Sequence, residues 1–150
     1  MINLSSIDVT NKNLVIRVDM NVPLKNGNIL DATRIEACLP TIDYALKNNA
    51  NILLISHLGR PTEGNFEEKF SLMPVASHLS KIIKKSCELI DTPNSDTIFN
   101  SNCQVQLLEN IRFFHGEKTN SDELGYQLAN LGDVYVFDAF GTAHREQAST

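Results

Sequence analysis

The 150-residue chain contains only five arginines, and four of them lie in short segments of one design. Arg34 stands in LDATRIEA, Arg60 in SHLGRP, Arg112 in LLENIRFF and Arg145 in DAFGTAHR. Each segment adjoins an apolar run that reads as a buried strand or helix, so these guanidinium groups fall where elements end. If the four ends converge, like charges about 6 Å apart at an effective dielectric near 20 repel by roughly 3 kcal/mol per pair. Such a cluster makes physical sense when it holds an anion. Arginine's planar fork suits phosphate and carboxylate through bidentate hydrogen bonds that a lysine point charge cannot make.

The elements that must position these groups follow from the apolar pattern. Leu14 to Met20 (LVIRVDM) is β-branched, mostly apolar and followed by Asn21-Val22-Pro23, which predicts a buried strand with Asp19 and Asn21 at its carboxyl end. Ile35, Cys38, Leu39, Ile42, Ala45 and Leu46 recur at helical spacing. Thr33 and Glu36 match a capping box that would place Arg34 in the first turn. Pro40 breaks the pattern, either by kinking this helix or by starting a later one. Asn51 to Ser56 predicts a second strand, followed by the loop His57-Leu58-Gly59-Arg60-Pro61, and residues 62–70 read as loop. A helix is expected from Ser71, with short strands at residues 87–90 and 105–108. A further helix from Ser121 to Leu131 stops at Gly132, and a last strand runs from Val134 to Ala139.

Apolar strands alternating with amphipathic helices predict an α/β fold: a Rossmann-like three-layer sandwich whose mainly parallel central sheet is covered by helices on both faces. Ligands in open sheets of this kind bind beyond the carboxyl ends of the strands. Asp19, Asn21, His57, Arg60, Arg112, His144 and Arg145 would lie there.

Composition narrows the function further. Hydrophobic content of 42% with 21% charged residues is that of a globular protein, and a formal charge of −5 argues against a nucleic-acid-binding face. Lys81, Lys84 and Lys85 read as a solvated helix end. Cys38, Cys87 and Cys103 are odd in number and form no CxxC pair, which predicts free thiols in a reducing compartment. No run approaches the ~20 apolar residues of a membrane span, and the N-terminus lacks the order of a signal peptide, so a cytoplasmic location is expected. His78 and His115 have no companion at metal-ligand spacing, and no metal site is expected.

Taken in order, RVDMNVP, TRIEACLPTI, SHLGRP, LLENIRFF and DVYVFDAFGTAHREQAST resemble the amino-terminal domain of phosphoglycerate kinase, from about Leu14 to Thr150. The resemblance implies one of two Rossmann-like lobes. Residues 1–150 would be the 3-phosphoglycerate-binding domain without its final segment, and the carboxyl-terminal nucleotide-binding domain would be absent. It also implies a glycolytic enzyme that transfers a phosphoryl group between ATP and the carboxylate of 3-phosphoglycerate, forming 1,3-bisphosphoglycerate and ADP. Magnesium nucleotide would be bound by the other lobe, and the enzyme would act as a monomer, with neither nucleic acid nor membrane as a partner.

By motif, Asp19 and Asn21 match the residues that contact the glycerate hydroxyl and carboxylate. Arg34 matches the arginine beside the phosphoryl group in flight and is the catalytic candidate. His57, Arg60, Arg112 and Arg145 match the set that holds the 3-phosphate. Simpler readings compete: an Asp19–Arg17 salt bridge, a loop-capping His57, an Arg112–Glu109 pair, and a His144 that only orients Arg145. The chain has no GxGxxG or GxxxxGK[ST] motif, and HGEKT at His115 to Thr119 lacks the upstream glycine. The isolated chain is therefore expected to be inactive as a kinase, and its alternative reading is a non-catalytic anion-binding module.

Overall fold

The run of aliphatic residues after Asn13 folds as β1 (Asn13–Val18), whose side chains from Leu14 to Val18 are all buried. The computed structural model describes residues 2–150. A two-residue hairpin follows, β2 (Leu24–Lys25) against β3 (Asn28–Ile29). Its turn is Asn26-Gly27, both at positive φ (51° and 77°), the conformation that a tight hairpin matching strand twist requires. Next come α1 (Thr33–Ala37), α2 (Leu39–Lys47), β4 (Asn51–Ile55), α3 (Met73–Ile83), β5 (Cys87–Ile90), β6 (Val105–Leu108), α4 (Asp122–Ala129) and β7 (Val134–Asp138).

Five strands form one sheet in the order β5-β6-β4-β1-β7, with every pairing parallel. Because successive side chains point to opposite faces, the strands feed two cores. Leu14, Ile16, Val18, Ile52, Leu54, Val105 and Leu107 pack with Ile35 of α1, Ile42 and Ala45 of α2, and Val75 and Leu79 of α3. Val15, Leu53, Ile55 and Leu108 pack on the opposite face with Leu124 and Leu128 of α4 and with Ile98. The three-layer α/β sandwich expected from the pattern is the fold observed.

One local expectation is corrected, and one open alternative is decided. Thr33 does not cap a helix. It is the first helical residue, the N-cap is Ala32 with no side-chain bond, and Asp31 instead accepts hydrogen bonds from the Thr33 N–H (2.9 Å) and hydroxyl (2.5 Å). The helix after it is also two helices. α1 ends at Ala37, and Pro40 sits in the first turn of α2, where its missing N–H costs nothing. Arg34 is thus carried on a helix of only five residues.

One side chain fixes the loops at the carboxyl ends of β4 and β6. Asn110 is fully buried; its amide nitrogen donates to the carbonyls of Leu58 (2.7 Å) and Phe70 (2.9 Å). Its amide oxygen accepts from the N–H groups of Leu58 (3.2 Å) and Arg112 (3.1 Å). Asn110→Ala would strand four backbone groups in the interior. At about 1 kcal/mol per lost bond, with more for groups left unsatisfied, we expect a loss of about 3 kcal/mol or more in urea unfolding. A variant within about 0.5 kcal/mol of the parent chain, the range of a neutral surface change, would show that the clamp is dispensable.

Candidate functional site

The carboxyl ends of β1, β4, β6 and β7 bring the arginine segments together in two groups joined through one loop. In the first, just beyond β1, Arg34 Nη1 lies 3.2 Å from Asp19 Oδ2 and 3.3 Å from Oδ1, and donates to the Asn21 carbonyl at 3.1 Å. Asp19 Oδ1 also accepts from the Asn21 N–H at 3.1 Å. The Arg34 side chain is 53% exposed, so the pair is worth at most about 1 kcal/mol. Its guanidinium can be redirected at little cost.

The second group is buried and far less free. Arg17, entirely inaccessible, donates from Nε to the Ser149 hydroxyl (2.9 Å) and from Nη1 to the Val18 carbonyl, and its Nη2 lies 3.2 Å from His57 Nδ1. The competing Asp19–Arg17 salt bridge does not form; Asp19 takes Arg34 instead. A guanidinium has no acceptor, so His57 Nδ1 must accept and the ring's one proton sits on Nε2. Burial, followed by the charges of Arg112 and Arg17, pushes the His57 pKa down to about 3. The imidazole is a neutral N–H donor at physiological pH.

Arg112 is also buried. Its Nη1 donates to the Gly59 carbonyl at 2.5 Å, while its Nε is buried with no hydrogen-bond partner. The expected competitor, Glu109, is occupied by the Ser71 hydroxyl (2.7 Å) and the N–H groups of Leu72 and Asn110 (both 2.8 Å). Desolvation lowers the Arg112 pKa, and the charges of Arg145, Arg17 and Arg60 lower it further. Arg145, half-buried after β7, and Arg60, exposed on the loop after β4, therefore share this charge field. Among the described residues the ion pairs are Arg34–Asp19 and Lys69–Glu67, so Arg17, Arg60, Arg112 and Arg145 pair with no carboxylate. His144 is exposed and bonds to none of the group.

Gly59 joins the two groups. Its N–H donates to Asn21 Oδ1 at 2.9 Å and its carbonyl takes Arg112. It holds φ at +59°, and an added Cβ would come within 2.5 Å of the Phe70 ring. Sequence reading missed this linking role, as it missed the Asn110 clamp. The only signal for Gly59 was its position in SHLGRP. With its oxygen used by Gly59, Asn21 keeps its amide N–H groups for a ligand. The site can thus present two kinds of contact: a largely buried set of N–H donors for a phosphate dianion, and a half-buried carboxylate and amide with an exposed guanidinium for the rest of a small acid.

The family model described as "Phosphoglycerate kinase" matches residues 4–150. Curated relatives named phosphoglycerate kinase include that of Psychrobacter sp., 50% identical over 143 residues, and that of Desulfovibrio desulfuricans, 49% identical over 147. These alignments cover 95% and 98% of this chain but 36% and 37% of those proteins, so the chain spans a little over a third of their length. Among solved structures, phosphoglycerate kinase from Coxiella burnetii superposes with a TM-score of 0.89 at 45% identity, covering 98% of this chain and 37% of that one. The enzyme from Pyrococcus horikoshii gives 0.84 at 30% identity, covering 99% and 39%.

The buried neutral histidine makes a prediction about acid stability. Between the folded value of about 3 and the ordinary 6.5, the unfolded chain binds a proton that the folded chain does not. Stability contributed by neutral His57 is therefore complete above pH 6.5 and is lost as pH falls toward 3. The slope reaches up to about 1.4 kcal/mol per pH unit. Urea unfolding in phosphate-free buffers from pH 7 to 4.5 should show this slope in the parent chain and its loss in His57→Gln. An identical slope in both proteins would contradict the assignment of a neutral ring.

Proposed function

The chain belongs to the phosphoglycerate kinase family, and on that footing we propose that it is the substrate-holding lobe of an enzyme that reversibly transfers a phosphoryl group between ATP and the carboxylate of 3-phosphoglycerate. The observation that carries this reading is the buried, unpartnered Nε of Arg112, whose charge acts on the neutral N–H donor of His57. A buried donor left unsatisfied costs about 1–3 kcal/mol, and more when charged. A phosphate oxygen relieves that cost at Arg112 Nε, and another can accept from His57 Nε2–H. Arg60 and Arg145 complete the neutralisation of the 3-phosphate at the mouth of the pocket.

Asn21 and Asp19 then orient the glycerate hydroxyl and carboxylate, and Arg34 swings from Asp19 to the charge that spreads over the moving phosphoryl group. The attacking carboxylate is already ionised at neutral pH, so the lobe needs no general base. Phosphoryl transfer asks mainly for positioning and charge stabilisation, and this site offers both. The residues of this lobe do not fit a magnesium nucleotide. Among the described residues no three His, Cys, Asp or Glu side chains converge as a metal site, and the sequence has no phosphate-cradling glycine loop. We assign the nucleotide to the portion of the relatives that this chain does not span. By the same reasoning the chain alone acts as an anion-binding module without transfer.

Two measurements test this. Titration of the chain with 3-phosphoglycerate should give weak, salt-sensitive binding that Arg112→Ala abolishes. Binding of equal strength by glycerate would remove the phosphate from the account. In a full-length enzyme carrying this lobe, Arg34→Ala should lower kcat by a factor on the order of 10³ or more, as for other transition-state arginines, with a smaller change in KM. Arg60→Ala should mainly raise KM, because a remote anchor acts equally in ground and transition states. A large KM effect with unchanged kcat for Arg34→Ala would reduce Arg34 to a binding residue.

A further inference from the structure

Beneath the anion site lies a buried polar chain that the proposed reaction does not use directly. Glu117, wholly inaccessible, accepts from the Ser149 hydroxyl at 2.6 Å through Oε1 and from the Ser149 N–H at 3.0 Å through Oε2. The Ser149 hydroxyl in turn accepts from Arg17 Nε at 2.9 Å, and Arg17 Nη2 reaches His57 Nδ1 at 3.2 Å. The Tyr135 hydroxyl pins the Ser149 carbonyl at 2.7 Å, and the Ala148 N–H bonds to the Glu117 carbonyl at 3.1 Å. The chain thus crosses from the loop before α4, through the segment after β7, into β1 and the loop after β4.

The chemistry of the members limits how they can bond. Arginine only donates, an ionised carboxylate only accepts, and a serine hydroxyl can do both. The direction of every bond follows: Ser149 donates to Glu117 and accepts from Arg17, and Arg17 donates to His57. We propose that Glu117 and Ser149 are positioning residues of the anion site. Through Arg17 they fix His57 as the Nε2–H tautomer, so that a neutral imidazole aims its single N–H at a phosphoryl oxygen.

The ionic surroundings of the ring fit this arrangement. Arg112, Arg17 and Arg145 all oppose protonation of His57 and only Asp19 favours it, so the donor is set by the relay and not by a second proton. Burial raises the Glu117 pKa and lowers that of Arg17, each against the attraction of the other. No direct ion pair forms between them among the described residues, because Ser149 stands in between. A neutral donor also spares the pocket one more positive charge among the arginines when no anion is bound.

The inference rests on the phosphate reading of the site, and the test separates the two. In the full 150-residue chain with 15N-labelled histidine, ring spectra at pH 7 should show His57 as one tautomer, with Nδ1 bare. Ser149→Ala removes only the relay hydroxyl, leaving the backbone bond to Glu117 and the Tyr135 contact. It should give a mixed tautomer and weaken inorganic phosphate binding by roughly tenfold, the loss of about one charge-assisted bond. Ser149→Thr, which keeps the hydroxyl, should restore both, and Glu117→Gln reads the same relay where Ser149→Ala fails to fold. A pure Nε2–H tautomer and undiminished phosphate affinity in a folded Ser149→Ala or Glu117→Gln chain would overturn the proposal. A hydroxyl-dependent tautomer in a parent chain that binds no phosphate would leave the relay standing and sink the phosphate reading.

Discussion

Positive charge that the protein itself does not neutralise governs this structure. Arg17, Arg112 and Arg145 act on one another and on His57 at the carboxyl end of a parallel sheet, yet none is paired with a carboxylate among the described residues. The nearby buried acid, Glu117, is separated from Arg17 by a serine hydroxyl. Burying unpaired guanidinium groups is expensive, and the fold offsets the cost mostly with neutral oxygens: the carbonyls of Val18 and Gly59 and the hydroxyl of Ser149. Carboxylates in those places would have stabilised the empty site and competed with a bound anion. Uncharged acceptors hold the arginines in place while leaving their charge available.

The same economy explains why the site has a rigid half and a loose half. Arg112 is held from behind by Asn110, whose side chain also ties down the loop after β4, and its own guanidinium closes on Gly59. These groups are buried and their bonds are made within the fold. Arg34 rides on a five-residue helix and leans on Asp19 in the open. A fixed anchor for one end of a substrate and a less constrained cation for the other suits the proposed transfer, in which one phosphate stays and another travels. Gly59 couples the halves because its two backbone groups bond to Asn21 on one side and Arg112 on the other.

The strands and the arginine segments were legible in the sequence because each is a local pattern: β-branched runs, helical spacing, and a cation at the end of an element. What escaped was pairing across distance. Asp19 and Arg17 are close in sequence, but the carboxylate found Arg34, fifteen positions away, while Arg17 turned into the core. Glu117 lies inside HGEKT, a segment set aside for lacking the upstream glycine of a nucleotide motif, and nothing local marks it as a buried acid facing Ser149. Asn110, in the middle of LLENIRFF, carries no local signal of its role, and its four bonds depend on loops that only the folded sheet brings together. The β2–β3 hairpin had a signal in Asn26-Gly27, and its strands are too short for any periodicity to show.

The central claim is that the arginines are left unpaired for a phosphate. A crystal structure of the chain with 3-phosphoglycerate tests it most directly. The account predicts the phosphate within hydrogen-bond distance of Arg112 Nε and His57 Nε2, with the glycerate end toward Asn21 and Arg34. A ligand bound elsewhere, for instance in the apolar groove lined by Leu4, Ile7, Val136 and Phe140, with Arg112 Nε still unpartnered, would contradict it.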